Sequence, residues 1–111
     1  MPYTFGELLL VPVVITSQAA AKKRPVLVIY DGGDDDVLVA PVTGHGPRSP
    51  SDVPLADWQN EGLKLPSTVR LEKLATVEKA LVLRRLGKVS ATDLAKIKPV
   101  LRAFLLVLTP Q

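Results

Sequence analysis

The sequence predicts a small, mainly β domain of the α+β type, in which short antiparallel strands curl into a closed barrel, a short helical insert interrupts them, and one amphipathic helix ends the chain. Three observations carry this expectation. Apolar runs rich in β-branched residues, "RPVLVIYD" and "DVLVAPVT", recur with turn-forming residues between them. No long crossover separates the runs, so the parallel pairing of an α/β sheet is excluded. Only the stretch after Ser90 keeps a sustained helical period.

Taken in order, "GELLLVPVVI" from Gly6 to Ile15 opens as a strand. "RPVLVIYD" and "DVLVAPVT" are joined by "DGGDDD", whose Asp and Gly residues accept left-handed backbone angles, and the pair is expected to form an antiparallel hairpin. "GHGPRSPS", residues 44–51, holds two Gly, two Pro and two Ser, which predicts a mobile loop outside the sheet. "DVPL" resumes a strand briefly, and "ADWQNEGL" reads as one or two helical turns closed by Gly62. In "STVRLEKLATV" and "ALVLRRLGKV" apolar and polar residues alternate in part, the pattern of strands with one wet face. Ser90 with Asp93 is a weak capping box, after which Leu94, Ile97, Leu101, Leu105 and Leu108 recur at helical spacing. Pro99 lies inside that helix and predicts a kink or break near Ala95 to Pro99. With no repeat or linker in view, residues 1–111 are expected to form one domain.

Composition narrows the chemistry. A hydrophobic content of 47% over 111 residues suffices for a real core and excludes disorder. Without cysteine there is no disulfide, no thiolate metal site and no thiol nucleophile. Glu7 interrupts the first apolar run, no basic segment precedes it, and no span approaches the roughly 20 apolar residues of a membrane helix. A soluble, cytoplasmic protein without membrane contact is expected. The net charge of +3 favours an anionic partner. Basic residues cluster at Lys22, Lys23 and Arg24 and again at Arg84, Arg85 and Lys88, while Asp34 to Asp36 form one acidic knot. That knot lacks the spaced ligands of a calcium loop, so no metal is expected. Trp58, between Leu55 and Leu63, reads as a core or interface anchor rather than a base-stacking platform.

"GELLLVP", "KKRPVLVIY", "LVAPVTG" and the stretch from "DVPLADWQNEGL" to "KIKPVLRAFL" follow one another in an order and spacing that resemble the PemK/MazF family of toxin endoribonucleases along nearly the whole chain. The resemblance implies a small SH3-like, CcdB-like barrel with a C-terminal helix. It also implies a homodimer, cleavage of single-stranded RNA without metal or other cofactor, and a cognate antitoxin that silences the toxin, with DNA touched only through the antitoxin complex. The basic residue of the family's "RP" motif matches Arg24 and its "PVT" threonine matches Thr43. The arginine and acidic residue that some members carry two positions apart match Arg70 and Glu72 in "TVRLE". Two departures stand out. Many members place Ser after the threonine, where this chain has Gly44 and then His45, and "PVVI" replaces the phenylalanine-rich "PFPF".

RNA cleavage through its own 2′-hydroxyl needs that hydroxyl deprotonated, the phosphoryl oxygens stabilised and the 5′-oxygen protonated. Arg24 offers a planar fork of donors to two phosphate oxygens, and Thr43 offers a hydroxyl. Neither is a base, which leaves Glu72 or His45 for proton transfer. Arg70 and Glu72, two apart, are expected on one strand face, as a catalytic or a plain ion pair. Lys22, Lys23 and His45 are expected to hold RNA. Two other readings compete: an inactive binding module, and a gyrase-inhibiting toxin of the same fold. The second loses ground because toxins of that type resemble one another in a C-terminal tryptophan, whereas the sole Trp here is Trp58. The apolar residues Phe104 to Val107 leave a surplus for a second subunit to cover.

Overall fold

The computed structural model describes residues 2–13 and 22–110. Seven strands form the sheet: β1 (Glu7–Val13), β2 (Lys22–Tyr30), β3 (Asp36–Thr43), β4 (Asp52–Pro54), β5 (Thr68–Arg70), β6 (Ala75–Glu78) and β7 (Arg84–Lys88). One helix, α1 (Ala91–Leu108), follows. The end of the first apolar run, Val14 and Ile15, lies outside the described residues.

The middle stretches of the central strands, such as residues 26–28 and 37–42, are apolar because both of their faces are covered there, while their ends carry polar and charged residues. Leu8, Leu27, Ala40 and Val42 face a core shared with Val69, Leu71 and Ile97 of α1. Leu9, Val11, Val26, Val28, Val37 and Val39 pack on the opposite face with Tyr3, Val77 and Val82. The β2–β3 hairpin forms as expected. Its turn is fastened by Asp31, whose carboxylate accepts the Tyr3 N–H at 2.7 Å and the Gly33 N–H at 2.8 Å and meets Lys79 Nζ at 2.8 Å. Those partners, Lys79 first, hold the Asp31 carboxyl down at about 2. Gly33 adopts φ +92°, the left-handed angle anticipated for this turn.

The sheet runs β4-β5-β3-β2-β1-β7, with β6 paired to the first half of β3 and β5 to its end. The mainly β architecture with a terminal helix stands, but the closed barrel does not. No pairing joins β4 to β7 among the described residues, so the sheet is curled and open. In place of a last ladder, the turn over residues 56–62 packs backbone to backbone on β7. A Cβ on Gly62 would strike the Leu86 carbonyl, and one on Gly87 would strike the carbonyl of Glu61. This turn is not the helical insert the sequence suggested. It consists of short-range bonds such as Asn60 N–H to the Asp57 carbonyl at 3.0 Å. Its end is helix-like all the same: Leu63 N–H reaches the Trp58 carbonyl at 3.1 Å while Gly62 takes φ +93°.

Two further expectations change. "STVRLEKLATV" breaks into β5, a 3₁₀ turn at Leu71–Lys73 and β6, and "ALVLRRLGKV" into a 3₁₀ turn at Lys79–Leu81 and β7. In α1 the Ser90 hydroxyl caps the N-terminus by accepting the Asp93 N–H at 3.1 Å. The break expected at Pro99 does not occur, and the helix is continuous to Leu108. Ala95, whose carbonyl loses its partner to the proline, is exposed, so water can satisfy it. Leu94, Ile97, Val100 and Leu101 pack on the sheet, whereas Leu106 and Val107 are 69% and 75% exposed.

Candidate functional site, a basic groove at the hairpin end

The register of the central hairpin explains why a basic cluster is tied to a distant threonine. Val26 pairs with Pro41 and Leu27 with Ala40, and two further steps outward bring Arg24 level with Thr43. β1 sets Val11 against Arg24, and β5 sets Thr68 against Thr43, with Arg70 two residues on. Basic and hydroxyl side chains from three strands thus meet at one end of the sheet.

There they line a groove of about 740 Å³. Lys23, Arg24, Thr43, His45 and Arg70 all border it, together with Lys64 and Arg84. Five of the lining residues are Lys or Arg and none is a carboxylate among the described residues. Five of the chain's 14 Lys and Arg residues thus border one concavity with no carboxylate in its described lining to offset them, which favours an anionic occupant. Its apolar wall comes from residues such as Leu10, Leu63, Leu65 and Leu86.

Two site candidates lie apart from it. Lys22 is exposed and does not border the groove. Glu72 does not share a strand face with Arg70, because β5 ends at Arg70 and Glu72 sits exposed in the 3₁₀ turn that follows. The carboxylate that meets Arg70 is Asp52, on the neighbouring strand β4, at 3.5 Å from Nε. Burial works against the Asp52 carboxylate, yet the Arg48 N–H, bonded at 2.8 Å, and the Arg70 charge outweigh it and hold its pKa below the usual range. Asp52 thereby anchors one edge of the guanidinium.

Thr43 has a defined polarity. Its hydroxyl oxygen accepts the His45 N–H at 3.3 Å, which leaves the hydroxyl hydrogen for another acceptor. The residue between them is free of a side chain for a visible reason: a Cβ on Gly44 would lie 2.6 Å from Leu65 Cδ1. Leu65 Cδ1 is the end of a half-exposed side chain, so a larger residue at position 44 would have to push it aside.

The turn that forms the rim of the groove at Gly62 and Leu63 is held by buried acids. Asp57, Glu61 and Asp93 bring one carboxylate oxygen each within 4.8 Å of one another, close enough for a cation to bridge. Most of their oxygens are already engaged. Asp93 accepts the N–H groups of Ala56 and Asp57 at 2.9 and 3.0 Å and meets Lys96 Nζ at 3.1 Å. Glu61 accepts the Ser90 N–H at 2.8 Å, and the Ser90 hydroxyl donates to Asp57 at 2.6 Å. Burial, then the hydrogen bond to Asp93 and its charge, push Glu61 up to about 7. Burial would raise Asp93 too, but the Glu61 proton, the two backbone amides and Lys96 hold it down at about 2. Glu61 Oε1 has no hydrogen-bond partner among the described residues, which makes it the position where the raised pKa favours a proton.

Sequence reasoning missed these supports. Arg84 was visible only as part of a basic cluster, and Lys64 carried no signal at all. Asp57 and Glu61 stand four residues apart in the polar stretch "DWQNE", and nothing in the sequence joins them to Asp93, more than thirty residues on.

A family model described as the PemK-like, MazF-like toxin of type II toxin-antitoxin systems matches residues 4–105. The chain belongs to that family. Solved structures agree in fold. An endoribonuclease in complex with its cognate antitoxin from a mycobacterial species superposes with TM-score 0.74 at 18% identity, over 91% of this chain and 92% of its own. The Mycobacterium tuberculosis toxin MazF-mt6 gives 0.70 at 21% identity, over 86% and 91%. MazE-MazF of Deinococcus radiodurans gives 0.70 at 19%, over 95% and 96%. No curated protein sequence matches the chain. The PemK/MazF-like fold seen here has no helix, among the described residues, that is long and apolar enough to cross a membrane.

Proposed function

We propose that this protein is the toxin of a type II toxin–antitoxin pair and acts as a cytoplasmic endoribonuclease, a single domain over residues 1–111 that cleaves single-stranded RNA without a metal. The observation that carries this reading is the convergence of Arg24, Thr43 and Arg70 on a groove whose described lining has five cations and no carboxylate. Such a groove attracts a polyanion and offers no oxygen ligand set for a divalent ion.

In this reading the RNA phosphate sits between Arg24 and Thr43. Arg24 donates a pair of N–H groups to two phosphoryl oxygens as negative charge builds, and the free Thr43 hydrogen donates to the same group. Arg70, steadied by Asp52, and Lys23 and Arg84 hold the flanking phosphates. Proton transfer falls to His45, which borders the groove, rather than to Glu72, which does not. His45 takes the 2′-hydroxyl proton as the 2′-oxygen attacks phosphorus, the bond to the 5′-oxygen breaks, and His45 returns that proton to the departing 5′-oxygen. The products carry a 2′,3′-cyclic phosphate and a 5′-hydroxyl.

Labelled single-stranded RNA incubated with purified protein in EDTA tests this directly. Cleavage to those ends is expected; a 5′-phosphate product or a strict requirement for magnesium refutes the mechanism. The same groove suits the acidic tail of a cognate antitoxin, which would compete with RNA. The exposed Leu105 to Leu108 end of α1 supports a homodimer that covers it, and a monomer by light scattering at micromolar concentration counts against that.

A further inference from the structure

A second, shallower pocket of about 250 Å³ opens beside the groove and shares Gly44 and His45 with it. Pro47, Pro54 and Pro66 wall it, and Trp58 supplies an aromatic side chain. Nothing in the proposed chemistry uses this pocket. We infer that it is a subsite for a single unstacked nucleobase of the RNA strand, held against Trp58 next to the scissile phosphate; the inference rests on the ribonuclease reading above.

Three observations point to that occupant. The groove that would hold the phosphates has no Phe, Tyr or Trp in its described lining, and its one ring is the imidazole of His45, assigned above to proton transfer. A single strand bound there by its backbone leaves its bases without the stacking surface that selective single-strand binders supply. The other aromatic side chains are committed or remote: Arg85 stacks over Tyr3 at 4.7 Å, Phe5 packs on the main core, Tyr30 lies against Gly32 in the hairpin turn, and Phe104 is on the distal part of α1. Trp58 alone combines half-exposure with continuity to the groove. The walls are also stiff. Three prolines restrict the backbone around the pocket, and the turn carrying Trp58 is pinned through Ala56 and Asp57 to buried Asp93, so a base would enter a largely preformed seat. Trp58 thus joins the anchor role expected from the sequence, visible in its packing on the main core, to a second role at the surface.

Trp58 is the only tryptophan of the chain, so its emission reports the pocket without labelling. The probe is an RNA oligonucleotide spanning the mapped cleavage site, made uncleavable by a 2′-deoxy residue at the attacking position. Saturation is expected to quench Trp58. Removing one flanking base, as an abasic nucleotide, is expected to abolish the quench and weaken binding by roughly 5- to 100-fold. Abasic nucleotides elsewhere should do neither. Trp58→Phe should keep tight binding and the flanking-base preference, and Trp58→Leu should lose both with no further loss from the abasic RNA. If cleavage proceeds in EDTA yet emission stays unchanged at saturation, or every abasic oligonucleotide quenches equally, the subsite is wrong while the ribonuclease reading stands. Quenching by an antitoxin tail and not by RNA also overturns it, and an absence of RNA binding removes both.

Discussion

Glu61→Gln is expected to stabilise this protein at alkaline pH and to leave it unchanged in mild acid. The substitution keeps the shape of the protonated carboxyl. The amide oxygen can accept the Ser90 N–H, and the amide NH₂ can donate to Asp93 as the Glu61 proton does. Glu61 is 1% exposed, so solvent screening does little to soften the effect. Its folded-state pKa is raised from 4.5 to about 7, so its favourable contribution is complete below 4.5 and is lost as pH rises through about 7. That gap corresponds to roughly 3 kcal/mol at about 1.4 kcal/mol for each tenfold change in proton affinity. Asp93 behaves oppositely: its contribution holds above 3.8 and is lost only as pH falls toward about 2, below the working range. Urea unfolding at pH 5, 6, 7 and 8 and at one protein concentration reads the effect. The wild type should lose stability from pH 5 to pH 8. Glu61→Gln should flatten that slope and raise the midpoint at pH 8 by about 1 M or more. A wild-type stability that rises over this range refutes the shared proton, as does a variant equally destabilised at every pH.

Three further outcomes follow from the groove and its supports. Arg24→Lys should cleave RNA almost as poorly as Arg24→Ala, since an ammonium keeps the charge and loses the planar fork; single-turnover rates at saturating RNA separate this from weakened binding. Thr43→Ser should retain most activity, and Thr43→Ala should lose about a hundredfold in rate, as for one lost oxyanion donor. Gly87→Ala should destabilise by about 1–3 kcal/mol in chemical unfolding, because the added methyl meets the Glu61 carbonyl and backbone has little room to yield.

What could be read from the sequence was what short-range physics dictates. β2, β3 and the turn between them are set by continuous β-branched runs and by Asp and Gly, and the start of α1 by Ser90 and Asp93. The hairpin in turn brought Arg24 and Thr43 together, so the heart of the site was legible. The bend after Arg70 was not. Val69 and Leu71, two residues apart, are both fully buried, a spacing that suits a continuing strand as well as a 3₁₀ turn. That ambiguity misplaced Glu72. The open sheet was equally hidden, because nothing local to Gly62 or Gly87 tells that each sits against the backbone of the other's segment. Asp52 beside Arg70 and the close approach of Glu61 to Asp93 belong to the same class, long-range pairings that exist only once the chain has folded.

The two ends of the open sheet bear on how this molecule can associate. Unpaired strand edges are templates for runaway addition of further strands. Among the described residues the two ends of the main strand path, β4 and β7, are such edges, beside the short β6 that pairs only with β3. β4 is three residues long and ends in Pro54, which has no N–H to offer a neighbour. β7 carries Arg84, Arg85 and Lys88, so like charges would oppose each other in an edge-to-edge pair, and the 56–62 turn lies across part of it. Both edges are thereby poor seeds for fibrils or open-ended polymers. The bare apolar end of α1 differs from both edges: it is a patch of finite size, which a single partner would saturate.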